Sequence, residues 1–505
     1  MLATLPVLDR QGTYSGEITL VTHDSQRVVP GACFVAIAGR WTDGHQYIPD
    51  ALARGAALVV GQQPTPADFP ADRVYVRVSD PRRELARLSA AFYGNPSQEM
   101  AVIGVTGTDG KTTTTRLIDA LLTADGARTG YMTTVDFKVG DEKWPNNTRF
   151  TVLEAPDVQA FLRRMADAGV ERAVLETTSS ALELHRVADV AYDVAVVTNI
   201  TSEHIEVHGS LAAYRRAKAT LFEMVDPDAH KPLSFAIPHA CVLNADDSSF
   251  QYLKPFCRAP ILSYGIDQPA DVRAEQIALE GSGTRFRVCL PGGVAFDVAT
   301  PLVARFNVYN CLAAIAVAHL HGITPEVIAA TLAQIAPVSG RMERIVAGQP
   351  FSVVVDYAHT AESLAKVLDV LRPITTGRLI AVFGSAGDRD RVKRPEMGGV
   401  AARKADFAVI TDEDPREEDA MSILHEIAAG AEEAGACEGE RYVCIVGRRE
   451  AIATAFRMAR PGDTVLLAGK GHEQSLIVGR QKLPWDDRLV AREELAALGF
   501  ADSSV

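Results

Sequence analysis

Two glycines, a lysine and a run of threonines stand together at Gly107, Thr108, Asp109, Gly110, Lys111, Thr112 and Thr113, inside the stretch AVIGVTGTDGKTTTT. The backbone N–H groups of such a loop, with the positive end of a following helix, suit a phosphate. Lys111 can reach the outer phosphate oxygens of a nucleoside triphosphate, and the Thr112 hydroxyl can bind Mg²⁺. The longer G-x-x-x-x-G-K-[ST] spacing is not met, because Val105 occupies its first glycine position; the shorter G-T-x-G-K-T form stands here. This chemistry needs a strand, a loop and a helix in that order. The apolar run 101–105 predicts the strand, and Leu117, Ile118, Leu121 and Leu122 predict the buried face of the helix.

Other candidates also follow predicted strands. Glu176 ends the apolar run 172–175, where a carboxylate can meet Mg²⁺ at the phosphate loop. The hydroxyls of Thr177, Thr178, Ser179 and Ser180 come next. The strand 193–198 runs into a loop with Glu203, His204, Glu206 and His208, which suits a hard divalent ion or a plain surface loop. Lys218 falls on the apolar side of a helix with Tyr214, Leu211, Leu221 and Phe222, ordinarily the place of a snorkelling stem. Asn307 and Asn310, three apart on one helical face, could bond a purine edge or cap their helix.

The elements around these residues predict an α/β protein of about three domains. Residues 1–98 read as a small N-terminal α/β domain with turns at Asp24-Ser25, Gly31 and Asp43-Gly44-His45. Residues 99–336 read as a central P-loop-type ATPase domain with a β-rich stretch near 260–300. Pro337 to Arg344 breaks the pattern as a hinge. Residues 337–505 alternate strands (352–356, 379–383, 407–411, 442–446, 464–467) with helices (361–371, 395–404, 419–434, 448–458). That alternation predicts a Rossmann-like doubly wound parallel sheet. Its strand-end loops carry Asp356-Tyr357-Ala358-His359, Gly387-Asp388-Arg389-Asp390, Asp412-Glu413-Asp414-Pro415-Arg416 and Gly469-Lys470-Gly471-His472-Glu473.

Composition narrows the partners. A 47% hydrophobic content is enough for large cores, and a net charge of −13 disfavours nucleic acid. The seven cysteines form no C-x-x-C pair, which predicts reduced thiols of a cytoplasmic protein. No secretory signal and no apolar run near the ~20 residues of a membrane span are found. The expectation is a soluble monomer.

Taken together, GTDGKTTT, NITSEHIEVHG, YRRAK, VLNADD, RFNVYN, SGRMERI, DYAHT, GDRDRVKRPEMG, DEDPR and GKGHE resemble, in order and over nearly the whole chain, segments of the Mur ligases. These are the ATP-dependent amide ligases of peptidoglycan precursor assembly, and the branch most resembled is the third-amino-acid-adding (MurE-type) one. The resemblance implies that ATP phosphorylates an acceptor carboxylate, that an amine attacks the acyl phosphate, and that phosphate leaves. It implies Lys111 and Thr112 on the phosphates, with Thr112, Glu176, His204 and a carbamylated Lys218 (N6-carboxylysine) around Mg²⁺. Asn307 and Asn310 would contact adenine, with Arg341, Asp356 and His359 closing over the nucleotide from the last domain, which implies domain closure. The acceptor, UDP-N-acetylmuramoyl-L-alanyl-D-glutamate, would meet Ser25, the Asp43-Gly44-His45 turn, Thr151, Thr178 and Arg186. The amine of a diamino acid would sit among Arg389, Asp414, Arg416, Gly469 and Glu473.

Departures from the resemblance fall where substrates bind. Asp109 replaces an Asn, Phe150-Thr151-Val152 replaces an N-T-T segment, Thr178-Ser179-Ser180 replaces S-S-H, and Gln26 replaces an Arg. An alternative reading is therefore the same ligase chemistry on a different carboxylate acceptor. Asp414 replaces the Asn of a D-N-P-R motif. At about 4 Å and an effective dielectric near 20, its charge is worth roughly 4 kcal/mol against a distal carboxylate. On that argument lysine or ornithine competes with meso-diaminopimelate, while Arg416 suits a carboxylate and argues the other way.

Overall fold

The computed structural model describes residues 5–39, 42–148, 150–201, 209–280, 283–336 and 338–500. The chain divides into two compact units. One runs to Ile335 apart from Leu279–Thr284 and Pro301–Ala304, which belong with the other, Ala336 onward.

The first unit holds two sheets. The smaller has β1 (Asp9–Gln11), β2 (Val21–Thr22), β3 (Cys33–Val35), β4 (Leu58–Gly61) and β5 (Val74–Arg77) in the order β1-β5-β4-β3-β2. Only β1 runs antiparallel to its neighbour. The larger is built from β6 (Ala101–Thr106), β7 (Thr129–Met132), β8 (Asp136–Val139), β9 (Glu142–Pro145), β10 (Arg172–Glu176), β11 (Val194–Val197), β12 (Ala240–Asn244), β13 (Ile261–Gly265), β14 (Val272–Glu280), β15 (Gly283–Cys289) and β16 (Ala295–Thr300). Its order is β16-β15-β14-β13-β12-β11-β6-β10-β7-β8-β9. Strands β7, β10, β6, β11, β12 and β13 are parallel. Every residue of β6 is buried, as a continuous apolar run covered on both faces requires. The helices are α1 (Ile48–Ala53), α2 (Pro81–Phe92), α3 (Lys111–Ala124), α4 (Ala155–Asp167), α5 (Ser179–Glu183), α6 (Leu211–Glu223), α7 (Phe250–Leu253), α8 (Arg305–Leu320) and α9 (Pro325–Ala333). Helix α3 buries Leu117, Ile118, Leu121 and Leu122, the face read from its spacing.

The second unit is a sheet of β17 (Glu343–Ile345), β18 (Ser352–Asp356), β19 (Leu379–Phe383), β20 (Phe407–Thr411), β21 (Tyr442–Ile445) and β22 (Thr464–Ala468), with a hairpin of β23 (Ser475–Val478) and β24 (Gln481–Pro484). The order is β17-β18-β22-β19-β20-β21. Helices α10 (Ala361–Leu371), α11 (Lys393–Lys404), α12 (Ala420–Glu433), α13 (Arg448–Met458) and α14 (Asp487–Ala497) accompany it. The sheet is parallel except at β17, which pairs antiparallel with β18. The end of the expected hinge is therefore a strand: Glu343 and Arg344 pair with Val355 and Val354. All seven cysteines are free.

Arg394, fully buried on α11, fixes two loops of this sheet. It donates to both carboxylate oxygens of Glu418 at 2.9 Å, to Glu426 at 2.8 Å and to the Ala386 carbonyl at 3.1 Å. The Arg394 hydrogen bonds hold the Glu418 carboxyl down to about 2 from an ordinary 4.5. A depressed carboxyl contributes stability above its unfolded pKa and loses it as pH falls through the folded value. Between pH 5 and 2 the unfolding free energy of wild type should therefore fall more steeply than that of Glu418→Gln. Parallel pH profiles in chemical denaturation would contradict this.

Candidate functional site

Helix α3 begins where β6 ends, and the turn between them is built by glycines. Gly107 and Gly110 have φ of +148° and +81°. A β-carbon on Gly107 would strike the Thr198 hydroxyl, and one on Gly110 would strike the Asn310 amide oxygen. The turn is held from β11's side: Thr198 Oγ1 donates to the Asp109 carbonyl at 2.6 Å, Asn199 Nδ2 donates to the same carbonyl at 3.1 Å, and Asn199 Oδ1 accepts from Asp109 N–H at 3.1 Å. Asn199 escaped the sequence reading as a loop brace. Lys111 folds back onto the Gly107 and Thr108 carbonyls at 3.1 and 2.7 Å. Thr113, on the first turn of α3, is half-buried.

Glu176, buried at the end of β10, gathers the neighbouring strand ends. Thr112 Oγ1 donates to its Oε2 at 2.8 Å. Thr134, just past β7, donates its N–H to Oε2 and its hydroxyl to Oε1, each at 3.0 Å. The Thr134 hydroxyl also lies 3.0 Å from that of Thr151. Thr134 is a site residue that sequence reasoning missed; a hydroxyl pair, Thr133-Thr134, directly after an apolar strand was the available signal. Among the described residues no group of three or more His, Cys, Asp or Glu could hold a metal. A hydroxyl and a carboxylate in contact nonetheless fit Mg²⁺, which takes few protein oxygens alongside phosphate. His204, with Glu203, Glu206 and His208, lies outside the described residues.

Lys218 is not a snorkelling stem. Its side chain is buried, with Nζ 2.6 Å from the Gly107 carbonyl and 4.5 Å from the centre of the Tyr214 ring. Tyr214 in turn lies 3.0 Å from the Thr108 hydroxyl. Asn307 and Asn310 are buried and bonded to each other at 3.0 Å, and the Thr114 hydroxyl reaches Asn310 at 3.3 Å. They join α8 to the phosphate-loop helix rather than capping their own.

Three expected acceptor contacts have internal partners. Arg186 donates to the Val152 carbonyl at 3.2 Å, pairs with Glu154 at 2.5 Å and lies against the Phe150 ring. Thr178 caps α5 by accepting from Ala181 N–H at 3.2 Å. In the Asp43-Gly44-His45 turn, His45 points inward: Nε2 accepts from Gln62 N–H at 3.0 Å, and Nδ1 lies 2.6 Å from Asp43. That histidine fastens the turn to the end of β4. Ser25 is buried in a short 3₁₀ turn capped by Asp24.

In the second unit, Asp356 spends both oxygens on backbone, accepting from Met342 and Ala358 N–H at 2.8 Å. Arg341 lies over the Tyr357 ring at 4.7 Å, and the rings of His359 and His472 flank Tyr357. Burial and three nearby cations push His472 down to about 3. Arg389 is exposed, and Arg416 is half-buried with φ +54°. The Arg416 N–H bonds the Ile477 carbonyl at 3.1 Å, stitching its loop to β23. Gly469 brings its loop close to buried Glu413, whose pKa burial raises. Buried Arg448 ties these loops together, donating to Asp487 at 2.6 and 2.8 Å, to the Asp412 carbonyl at 3.1 Å and to the Ala468 carbonyl at 2.8 Å.

Asp414 does not offer a bare charge: it accepts from buried Lys470 at 2.9 Å and from Ile477 N–H at 2.9 Å. Lys470 also bonds Glu473 at 2.5 Å. Burial works against the Lys470 charge, but these two carboxylates outweigh it and raise its pKa.

A phosphate loop with a buried carboxylate at the adjacent strand end defines a nucleotide-dependent enzyme. Family models match residues 105–318 (Mur ligase middle domain), 340–471 (Mur ligase, glutamate ligase domain) and 17–93 (Mur ligase family, catalytic domain). The chain is 50% identical to the UDP-N-acetylmuramyl-tripeptide synthetase of Roseiflexus sp. (strain RS-1), with 96% of each chain covered. It is 43% identical to the UDP-N-acetylmuramoyl-L-alanyl-D-glutamate--2,6-diaminopimelate ligase of Geobacillus kaustophilus (strain HTA426), again with 96% of each covered. A solved structure of a UDP-N-acetylmuramoyl-L-alanyl-D-glutamate--2,6-diaminopimelate ligase superimposes with a TM-score of 0.66 at 30% identity, over 96% of both chains. The chain belongs to the Mur ligase family, ATP-dependent ligases that form a C–N bond.

Thr134→Val keeps the shape and removes the hydroxyl from both Glu176 and Thr151. It should cost about 1–2 kcal/mol of stability and lower turnover about tenfold, or ~1.4 kcal/mol in the barrier. Denaturation and ATP-dependent phosphate release check this; wild-type turnover would remove Thr134 from the site.

Proposed function

We propose that this protein adds meso-diaminopimelate to UDP-N-acetylmuramoyl-L-alanyl-D-glutamate in peptidoglycan precursor synthesis. The observation that carries the choice of amine is the Asp414–Lys470 pair, with Arg416 beside it. A buried ammonium, shared with Glu473, draws on the Asp414 charge and weakens its repulsion of a distal carboxylate, and Arg416 is placed to attract one. The names of the relatives at 50% and 43% identity support the same acceptor class. The division of labour follows the sequence reading: residues 1–98 for the uridine nucleotide, 99–336 for ATP, 337–505 for the amine.

In this reading the amides of Gly107 to Gly110 and Lys111 hold the β- and γ-phosphates. Lys111 leaves the loop carbonyls it now bonds and turns to the phosphate oxygens. The acceptor carboxylate, near Arg186 and Thr151, attacks the γ-phosphorus and releases ADP. The diamino acid's amine then attacks the acyl carbonyl, and the collapse expels phosphate. Thr112 and Glu176 would hold Mg²⁺, which supplies charge neutralisation on the phosphates. A carbamylated Lys218 would add an anion there: the neutral amine takes up carbon dioxide and loses a proton. Burial of Lys218 beside a carbonyl that Lys111 also uses supports this, because two ammonium groups sharing one oxygen repel.

Phosphate release from ATP should be measured with and without the UDP-linked dipeptide, crossed with diaminopimelate, lysine and ornithine. Release only with the dipeptide plus diaminopimelate is expected. Release with another carboxylate acceptor, or preference for lysine or ornithine, would overturn the assignment. Lys470→Met exposes the Asp414 charge. Even half of the roughly 4 kcal/mol argued for that charge shifts kcat/KM away from diaminopimelate more than tenfold. An unchanged ratio of diaminopimelate to lysine would contradict the role given to the pair.

A further inference from the structure

We propose that Glu154 is an internal stand-in for the acceptor's carboxylate: it occupies Arg186 in the free protein and yields that guanidinium when the acceptor arrives. The inference rests on the reading of Arg186 as an acceptor-binding residue.

Glu154 lies between two guanidinium groups. Its Oε1 is 2.5 Å from Arg186 Nη2, and its Oε2 is 4.0 Å from Nη1 of Arg82 on α2. The Glu154 side chain is 20% exposed and that of Arg186 11%, so the pair is reachable from solvent yet shielded. Arg186 is not saturated. Its Nη1 holds the Val152 carbonyl, while its buried Nε has no hydrogen-bond partner among the described residues. A guanidinium offers five donors in a planar fork suited to bidentate carboxylate binding. Here one carboxylate oxygen takes one corner of that fork.

The displaced carboxylate has somewhere to go. The Arg82 guanidinium stands 4.0 Å from Oε2, and the Nδ1 of His23 nearby is buried with no hydrogen-bond partner among the described residues. Glu154 precedes α4 and lies three residues after Thr151, whose hydroxyl reaches Thr134 and through it Glu176. Exchange at Arg186 therefore acts on the segment that touches the phosphate-loop carboxylate. It also supplies selectivity, because a ligand lacking an anion at this point cannot displace Glu154.

The test is calorimetric titration of the full chain with the UDP-linked dipeptide, without ATP. Removing the competitor in Glu154→Gln should tighten binding about fivefold, the scale of a partly exposed ion pair. Arg82→Met should weaken binding about fivefold in the wild-type background and have no effect in the Glu154→Gln background. That dependence would not arise if residue 154 merely braced the helix. Unchanged or weaker binding by Glu154→Gln, or equal effects of Arg82→Met in both backgrounds, would overturn the exchange. Wild-type binding by Arg186→Ala would instead overturn the acceptor reading on which it rests.

Discussion

A carboxylate buried among neutral donors organises this protein. Glu176 accepts from the Thr112 hydroxyl, the Thr134 hydroxyl and the Thr134 N–H. A buried charge is costly unless it is hydrogen-bonded or paired, and Glu176 has only dipoles among these three contacts. Its contacts come from the first turn of α3 and from Thr134 past β7, and the parallel register of β6, β10 and β7 brings Glu176 beside Val105. The phosphate loop, the segment at Thr151 and the end of β10 are thereby fixed to one group. A hard cation with nucleotide phosphates would meet that carboxylate as its natural counter-charge.

The second unit solves a similar problem with buried cations. Arg394, Arg448 and Lys470 lie fully buried, each paired with carboxylates, and Arg394 and Arg448 bond backbone carbonyls as well. Removing one partner of such a pair costs about 3–5 kcal/mol, because the other charge is stranded. The loops after β19, β20 and β22 are therefore set by charge pairing between strand ends. Charge pairing also decides what Asp414 presents to a ligand.

Much of this was legible in the sequence, and the limits have physical causes. Apolar runs such as 353–355 (within the strand 352–356) and 379–383, and amphipathic stretches such as 361–371 and 448–458, became elements with the bounds they suggested. The three-residue edge strand at Glu343 has one apolar residue, Ile345, and forms by pairing with the edge of β18 and burying that side chain. The hairpin after Gly471 lacks strong alternation and is held by Asp414 and Arg416. Helix α2 carried its signals, Asp80 as cap and Pro81 at the first turn, and went unread. The phosphate loop, Glu176 and Lys218 could be singled out by residue type and local pattern. Thr134 with Glu176, and Asp414 with Lys470, could not, because their partners are 42 and 56 residues away. An isolated aspartate in a motif reads as a free charge until its counter-ion is seen.

In the proposed site, Glu176 is the carboxylate that meets a cation beside Thr112. The most direct test is calorimetric binding of ATP to wild type and Glu176→Gln, each with and without Mg²⁺. The variant should lose about tenfold or more in affinity for ATP with Mg²⁺, while affinity for metal-free ATP stays unchanged. Equal losses with and without the metal, or no loss in either, would contradict it.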